Sequence, residues 1–289
     1  MKKKKSFGNF VFDAIIDIVM IFTLLVCLVP FIYMLAVSLS DPNAIVNNQV
    51  TFFPVGFNLS AYKQIFTYPK FFHAYGNTIF YTVAGTAISL LMTILFAYPL
   101  SKGFLKGQKA VMKMVVFSMF FSGGLIPTYL LVSQLHLTGT IWAMLLPFAI
   151  NQFNLIILIN FFKGLPHEIE EAALIDGLGY SGILWRIIVP MSKPALATIG
   201  LYTAVFFWND WFNGLIYLNT DQFPVMLFLR NIVNGTSMLG DAAGAADKAT
   251  ISISIKSAVI IVSTLPIMAL YPFLQKYFVK GMTVGSVKG

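Results

Sequence analysis

The sequence predicts an all-α polytopic membrane protein of six transmembrane helices, N-in/C-in. Three observations carry that prediction. Of 289 residues, 58% are hydrophobic and only 10% are charged, and the mean hydropathy is +0.81. A soluble domain of that composition has too little polar surface to cover itself. Six apolar stretches of about 20 residues or more follow one another, each long enough to cross a ~30 Å hydrocarbon core. The nineteen lysines and arginines divide fourteen to five between alternate connections, and the richer set belongs in the cytoplasm. Residues 1–289 therefore read as a single transmembrane domain. The net charge of +8 is this inward bias and not a nucleic-acid footprint.

Lys2 to Lys5 precede the first span, about 14–39, which is far longer than the apolar core of a signal peptide and reads as uncleaved. Asp13 and Asp17 mark a helical turn at the cytoplasmic surface. Residues 41–73 form an external connection with a short interfacial helix near 59–66. The second span covers about 75–100 and runs into Lys102, Lys106, Lys109 and Lys113. The third, about 111–132, contains Gly123, Gly124 and Pro127, which weaken or kink a helix and free backbone groups that need new partners. The fourth covers about 141–162, the fifth 195–218 and the sixth 255–278. Between them lie a cytoplasmic loop, 163–194, and an external loop, 219–254, that is rich in glycine.

The cytoplasmic loop is the most informative stretch. Residues 166–194 hold four of the eleven acidic residues, Glu168, Glu170, Glu171 and Asp176, in an otherwise apolar half of the chain. Pro166 suits a helix start, and glutamates favour the positive end of its dipole. Ile169, Ala172, Ala173 and Asp176 fall on one helical face, and Gly177 and Gly179 are suited to ending the helix. A second short apolar segment, Gly182 to Val189, is broken by Pro190 and Pro194. This helix–turn–helix is too polar for lipid and too apolar for an idle loop, which suggests a docking element for a soluble partner.

These residues carry a resemblance. Glu171-Ala172-Ala173, Gly177 four residues later, then Ile187 and Pro190 resemble the EAA signature of ABC importer permeases, with Val189 where leucine is usual. The resemblance implies the type I ABC importer permease fold. It also implies a coupling helix in which Glu170, Glu171, Ala172, Ala173, Asp176 and Gly177 dock on a cytoplasmic ATPase. The second span ending AYPLSK, the stretch NDWFNGLIYL from Asn209, FPVMLFLR from Phe223 and the terminal QKYFVKGMTVGSVKG are similar to the carbohydrate-uptake branch, the maltose-type inner-membrane permeases, and to its subgroup for oligosaccharides and polysaccharide fragments. The partners implied are a second homologous permease in a heterodimer, two ATPase subunits and an external solute-binding lipoprotein. The place implied is the bacterial plasma membrane. The external loop, 219–254, is implied to contact the binding protein.

Enzyme chemistry has no foothold here. There is no G-x-x-x-x-G-K-[ST] phosphate loop, so ATP and magnesium belong to a partner ATPase and this chain needs no cofactor of its own. No catalytic nucleophile motif and no metal-ligand spacing occur, and Cys27 is the single cysteine. The most unusual intramembrane stretch is Trp208, Asn209, Asp210, Trp211 and Asn213, with Asp210 in the middle or outer half of the fifth span. A carboxylate at that depth needs water or a partner. Indoles stack on sugar rings, and amides and carboxylates bind hydroxyls, so these five residues are candidates for the substrate path. Equally, they suit helix packing or headgroup anchoring. Permeases for phosphate or amino acids share the docking signature, and an ion-coupled secondary transporter is the rival class. The identity, length and charge of any sugar have no readable motif.

Overall fold

The computed structural model describes residues 7–103, 105–234 and 253–269, and every regular element among them is helical. The described residues divide into two compact units: 7–69 with 231–234 and 253–265, and those of 70–230 with 266–269.

In the first unit, helix α1 (Phe7–Ser38) contains an apolar run, Phe12–Ser38, of 27 residues. At 1.5 Å per residue that is about 40 Å, ample for a bilayer core. Phe12, Ile18, Met20, Phe22 and Leu24 on it are exposed, a surface suited to lipid or to another membrane helix. The far end of α1 is anchored. Ala36 and Val37 pack with Ala44, Ile45 and Val50 around α2 (Pro42–Val46), whose N-cap Asp41 accepts from the Asn43 N–H at 2.8 Å. The hydroxyls of Ser38 and of Tyr62, on α3 (Ser60–Thr67), meet at 2.8 Å.

The second unit is built on α4 (Pro69–Ser101), 33 residues long. Its buried face carries the small residues Ala74, Thr78, Gly85, Ser89 and Ala97, which let neighbouring helices approach closely. A Cβ on Gly85 would lie 2.4 Å from the Phe207 ring. The third expected span is two helices, α5 (Gln108–Phe120) and α6 (Leu125–Gln134), bent by 117° at residues 121–124. Gly124 sits at φ +84, the left-handed region that glycine tolerates. A kink was expected there. The left-handed glycine at the start of α6 makes it a full break.

The fourth expected span, 141–162, is likewise interrupted. It forms one turn, α7 (Trp142–Leu145), and then α8 (Gln152–Lys163), capped by Asn151, whose side chain accepts from the Asn154 N–H at 3.0 Å. Pro147 between them has no N–H to continue the ladder. Next come α9 (His167–Ile175), α10 (Tyr180–Met191) and α11 (Lys193–Asn209), the last two bent by 80°. The fifth expected span, 195–218, thus starts near Lys193 but breaks at Asp210 before α12 (Phe212–Tyr217). The expected external loop opens with α13 (Val225–Val233), followed after undescribed residues by α14 (Ile253–Ala269). All three of that loop's glycines, and the sixth span beyond 269, lie outside the described residues. Among the described residues, two helices can each cross a membrane alone, and four spans result if each bent pair is one.

Among the described residues, apolar clusters hold this unit together, two of them as follows. One gathers Ile94, Ala97 and Tyr98 of α4 with Leu155, Leu158 and Phe162 of α8, Ala173 of α9, Ile183 and Ile188 of α10, and Ile199 of α11. The other joins Tyr81, Met144, Leu145, Phe207 and Leu218.

Candidate coupling loop and the polar break after α11

The chain enters α9 through Pro166, extended at φ −59 and ψ 127 as the N-cap rather than in the first turn. Glu168 and Glu170 occupy the first turn, where the dipole favours anions. At the other end, Asp176 is the C-cap and Gly177 follows at φ +83. The Gly177 N–H donates to Leu174 O at 3.0 Å, and the Leu178 N–H donates to Ala173 O at 2.9 Å. This is the Schellman pairing, with glycine in the left-handed position. Leu178 then packs on the cluster that contains Ala173. Gly179 does not end α9. It is extended, at φ −74 and ψ 164, and starts α10.

Within α10, residues Leu184–Ile188 form a π-turn, closed by the Val189 N–H donating to Leu184 O. Pro190 next to it has no N–H for the Arg186 carbonyl and its ring crowds that group, so a widened turn fits there.

The faces of α9 differ from the expected pattern. Glu171, Ala172, Leu174, Asp176 and Gly177 are exposed, and Ile175 is 86% exposed. Glu170 and Ala173, expected on the docking surface, are buried against the chain itself. The Lys102 Nζ, just past the end of α4, donates to Glu170 Oε1, and it stands 4.8 Å from the centre of the Tyr98 ring. Residue spacing on α9 alone cannot show this. Lys102 looked like one of four interchangeable basic residues, and only its burial distinguishes it. A Cβ on Gly177 would meet nothing within 4 Å, so within this chain only the backbone conformation restricts the position.

Of the five candidate path residues, the structure brings Asp210 and Asn213 together. Trp208 is buried, edge-on to Tyr75 with ring centres 5.7 Å apart. Asn209 is exposed. Asp210 lies at a helix break, not inside a continuous span, and its carboxylate is engaged locally. Oδ1 accepts from the Asn213 backbone N–H at 3.1 Å, and Oδ2 from the Asn213 side-chain amide at 2.8 Å. It therefore holds the start of α12, and those bonds compensate its burial. Trp211 carries the Arg230 guanidinium 4.0 Å above its ring, a cation–π contact. The segment that follows is tied to α4. Asn77 Nδ2 donates to the carbonyls of Asp221 and Phe223 at 2.9 and 3.3 Å, Tyr81 Oη donates to Gln222 O at 3.0 Å, and the Val225 N–H donates to Thr78 Oγ1 at 2.7 Å. Among the described residues no three acidic, histidine or cysteine side chains gather as metal ligands.

Comparison with known proteins places this geometry. No family model matches the chain. It is 47% identical over 268 residues to the protein LplC of Bacillus subtilis, covering 91% of this chain and 90% of that one. It is 42% identical over 284 residues to the polygalacturonan/rhamnogalacturonan transport system permease protein YtcP of the same organism, covering 97% and 99%. Among solved structures, it matches a chain of a bacterial ABC transporter that imports the acidic polysaccharide alginate. The TM-score is 0.90 at 32% identity, over 96% of this chain and all of that one. With these likenesses spanning nearly its whole length, the chain belongs to the family of membrane permease subunits of carbohydrate ABC importers.

Proposed function

We propose that this chain forms half of a six-span-per-subunit pathway importing acidic oligosaccharides, the uronate-containing fragments of plant or algal polysaccharides, across a bacterial plasma membrane. Both termini and the loop 163–194 face the cytoplasm. A homologous permease supplies the other half, two ATPase subunits dock beneath, and an external lipoprotein delivers the sugar. The observation that carries the reading is α9, a short helix with exposed Glu171, Leu174, Ile175 and Asp176, ended by a left-handed Gly177. An isoleucine this bare on a water-facing helix is suited to a partner's cleft. The acidic cargo is supported by the polygalacturonan and alginate systems among the relatives.

In this mechanism the partner ATPases close on ATP and carry the two docking helices toward each other. Because α9 is continuous in sequence with α8 and, through α10, with α11, that motion rocks both helices and opens the path to the delivered sugar. Hydrolysis on the partner restores the inward-facing state. The test is to purify the tagged chain from native membranes, identify its companions, and measure ATP-dependent uptake of labelled tri-galacturonate into vesicles holding the complex and its binding protein. An ATPase, a second permease and a binding lipoprotein together with uptake are expected. A chain that is purified alone and moves solute without ATP would refute the reading in favour of secondary transport. An intact complex that imports only neutral sugars would refute the acidic cargo.

A further inference from the structure

The ion pair Lys102–Glu170 is buried within this chain and lies off the exposed face of α9. The two side chains are 7% and 12% exposed, and the lysine ammonium is covered on one side by the Tyr98 ring. They stand 68 residues apart in sequence, one at the end of α4 and the other in the first turn of α9. Around them the end of α4 is pinned further. Gln108, at the start of α5, donates to the Leu100 carbonyl, and Ser101 Oγ donates to Tyr98 O at 2.7 Å. Ala173, one turn along α9 from Glu170, packs in the same cluster as Ala97, Tyr98 and Leu100.

We propose that Lys102 and Glu170 are a positioning pair that ties the docking helix to α4, so that displacement of α9 by the ATPase is transmitted to a span that the loop does not reach by sequence. The argument rests on the docking role proposed for α9. Helices α8 and α11 move with α9 because the chain connects them. Helix α4 has no such connection, and yet it holds the residues 221–225 segment through Asn77, Thr78 and Tyr81 at its other end. Apolar packing between α9 and α4 resists sliding through many small, non-directional contacts. A charge-assisted hydrogen bond is, by contrast, directional. Buried ion pairs are poor sources of net stability compared with apolar residues of the same volume, and registry is their best-attested use. One bond thus links the exposed docking face to the end of α4 that leads, through the helix, to the opposite side of the unit.

The test uses the whole complex with its partner subunits, reconstituted with tri-galacturonate as the probe sugar. Either single neutralisation strands a buried charge and can cost the fold. The informative variant is therefore the double neutral Lys102→Met/Glu170→Leu, compared with the exchanged pair Lys102→Glu/Glu170→Lys. The double-neutral complex is expected to retain its ATPase and its basal ATP hydrolysis while sugar imported per ATP falls about tenfold, within the usual range of coupling between linked sites. The exchanged pair is expected to restore at least half of the parent ratio. A merely structural pair would change yield or thermal stability but not the ratio in the complex that remains. A double-neutral variant importing at the parent ratio would overturn the tie, and so would an exchanged pair as uncoupled as the double neutral. Should the parent complex hold no ATPase or take up no probe, the docking and cargo reading falls, and the tie with it.

Discussion

Replacing Gly177 isolates what the docking turn requires. The residue sits at φ +83 and closes the Schellman pairing of Leu174 and Ala173 with the two following N–H groups. A Cβ there meets nothing within 4 Å, so the penalty of a side chain is conformational and not steric within this chain. For an L-residue the left-handed region costs about 1–2 kcal/mol, and more for a β-branched one. Against a domain stability on the order of 5–15 kcal/mol the fold survives, but a local equilibrium shifts by roughly 5–30-fold. A docking turn that must present Ile175 and Asp176 at a fixed angle would then be correctly shaped in a smaller fraction of molecules. The series Gly177→Asn, Gly177→Ala and Gly177→Val separates the causes, because asparagine tolerates the left-handed region best. Membrane insertion and sugar binding by the external protein are expected to stay at parent levels throughout. ATP-dependent uptake should be near normal for Asn, reduced for Ala and abolished for Val. Normal uptake by a correctly inserted Val variant refutes the reasoning. Asn as damaging as Val would refute the conformational cause and point to a clash with the docked ATPase.

Ile175→Asp should leave insertion unchanged, since the side chain is 86% exposed, and should cut recovery of the ATPase in pull-downs by about tenfold or more. Gly85→Leu should lower yield and melting temperature, with overpacking against the Phe207 ring costing about 1–3 kcal/mol, and Phe207→Ala in the same chain should recover part of the loss. Asp210→Asn retains an oxygen for the Asn213 N–H and is expected to transport near the parent rate, whereas Asp210→Ala loses the cap and costs about 1 kcal/mol in stability. A loss of sugar uptake in a stable Asp210→Asn chain would instead place the carboxylate on the substrate.

Much of this protein could be read from its residues in order. The first and second expected spans are continuous helices, because in lipid the backbone must satisfy itself and a helix does so locally. The turn at Gly177 was legible for the same reason: its requirement is a property of one residue's backbone, set by neighbours three or four positions away. The motif spacing around Glu171, Gly177 and Pro190 also depends on local geometry, and the whole-length relatives agree with the family it indicated.

Contacts between distant segments were a different matter. Composition makes residues 111–132 and 141–162 look like continuous spans. Gly123, Gly124 and Pro127 announced a kink, but the full 117° break there and the interruption around Pro147 show only in the structure. Asp210 reads as an intramembrane carboxylate in need of water or a partner, and the structure shows Asn213 donating to it twice. Above all, helical spacing shows which residues of α9 share a face but not which face turns inward. In the structure the inward face is the one that carries Glu170 and Ala173, which meet, respectively, Lys102, 68 residues earlier, and the apolar cluster at the end of α4.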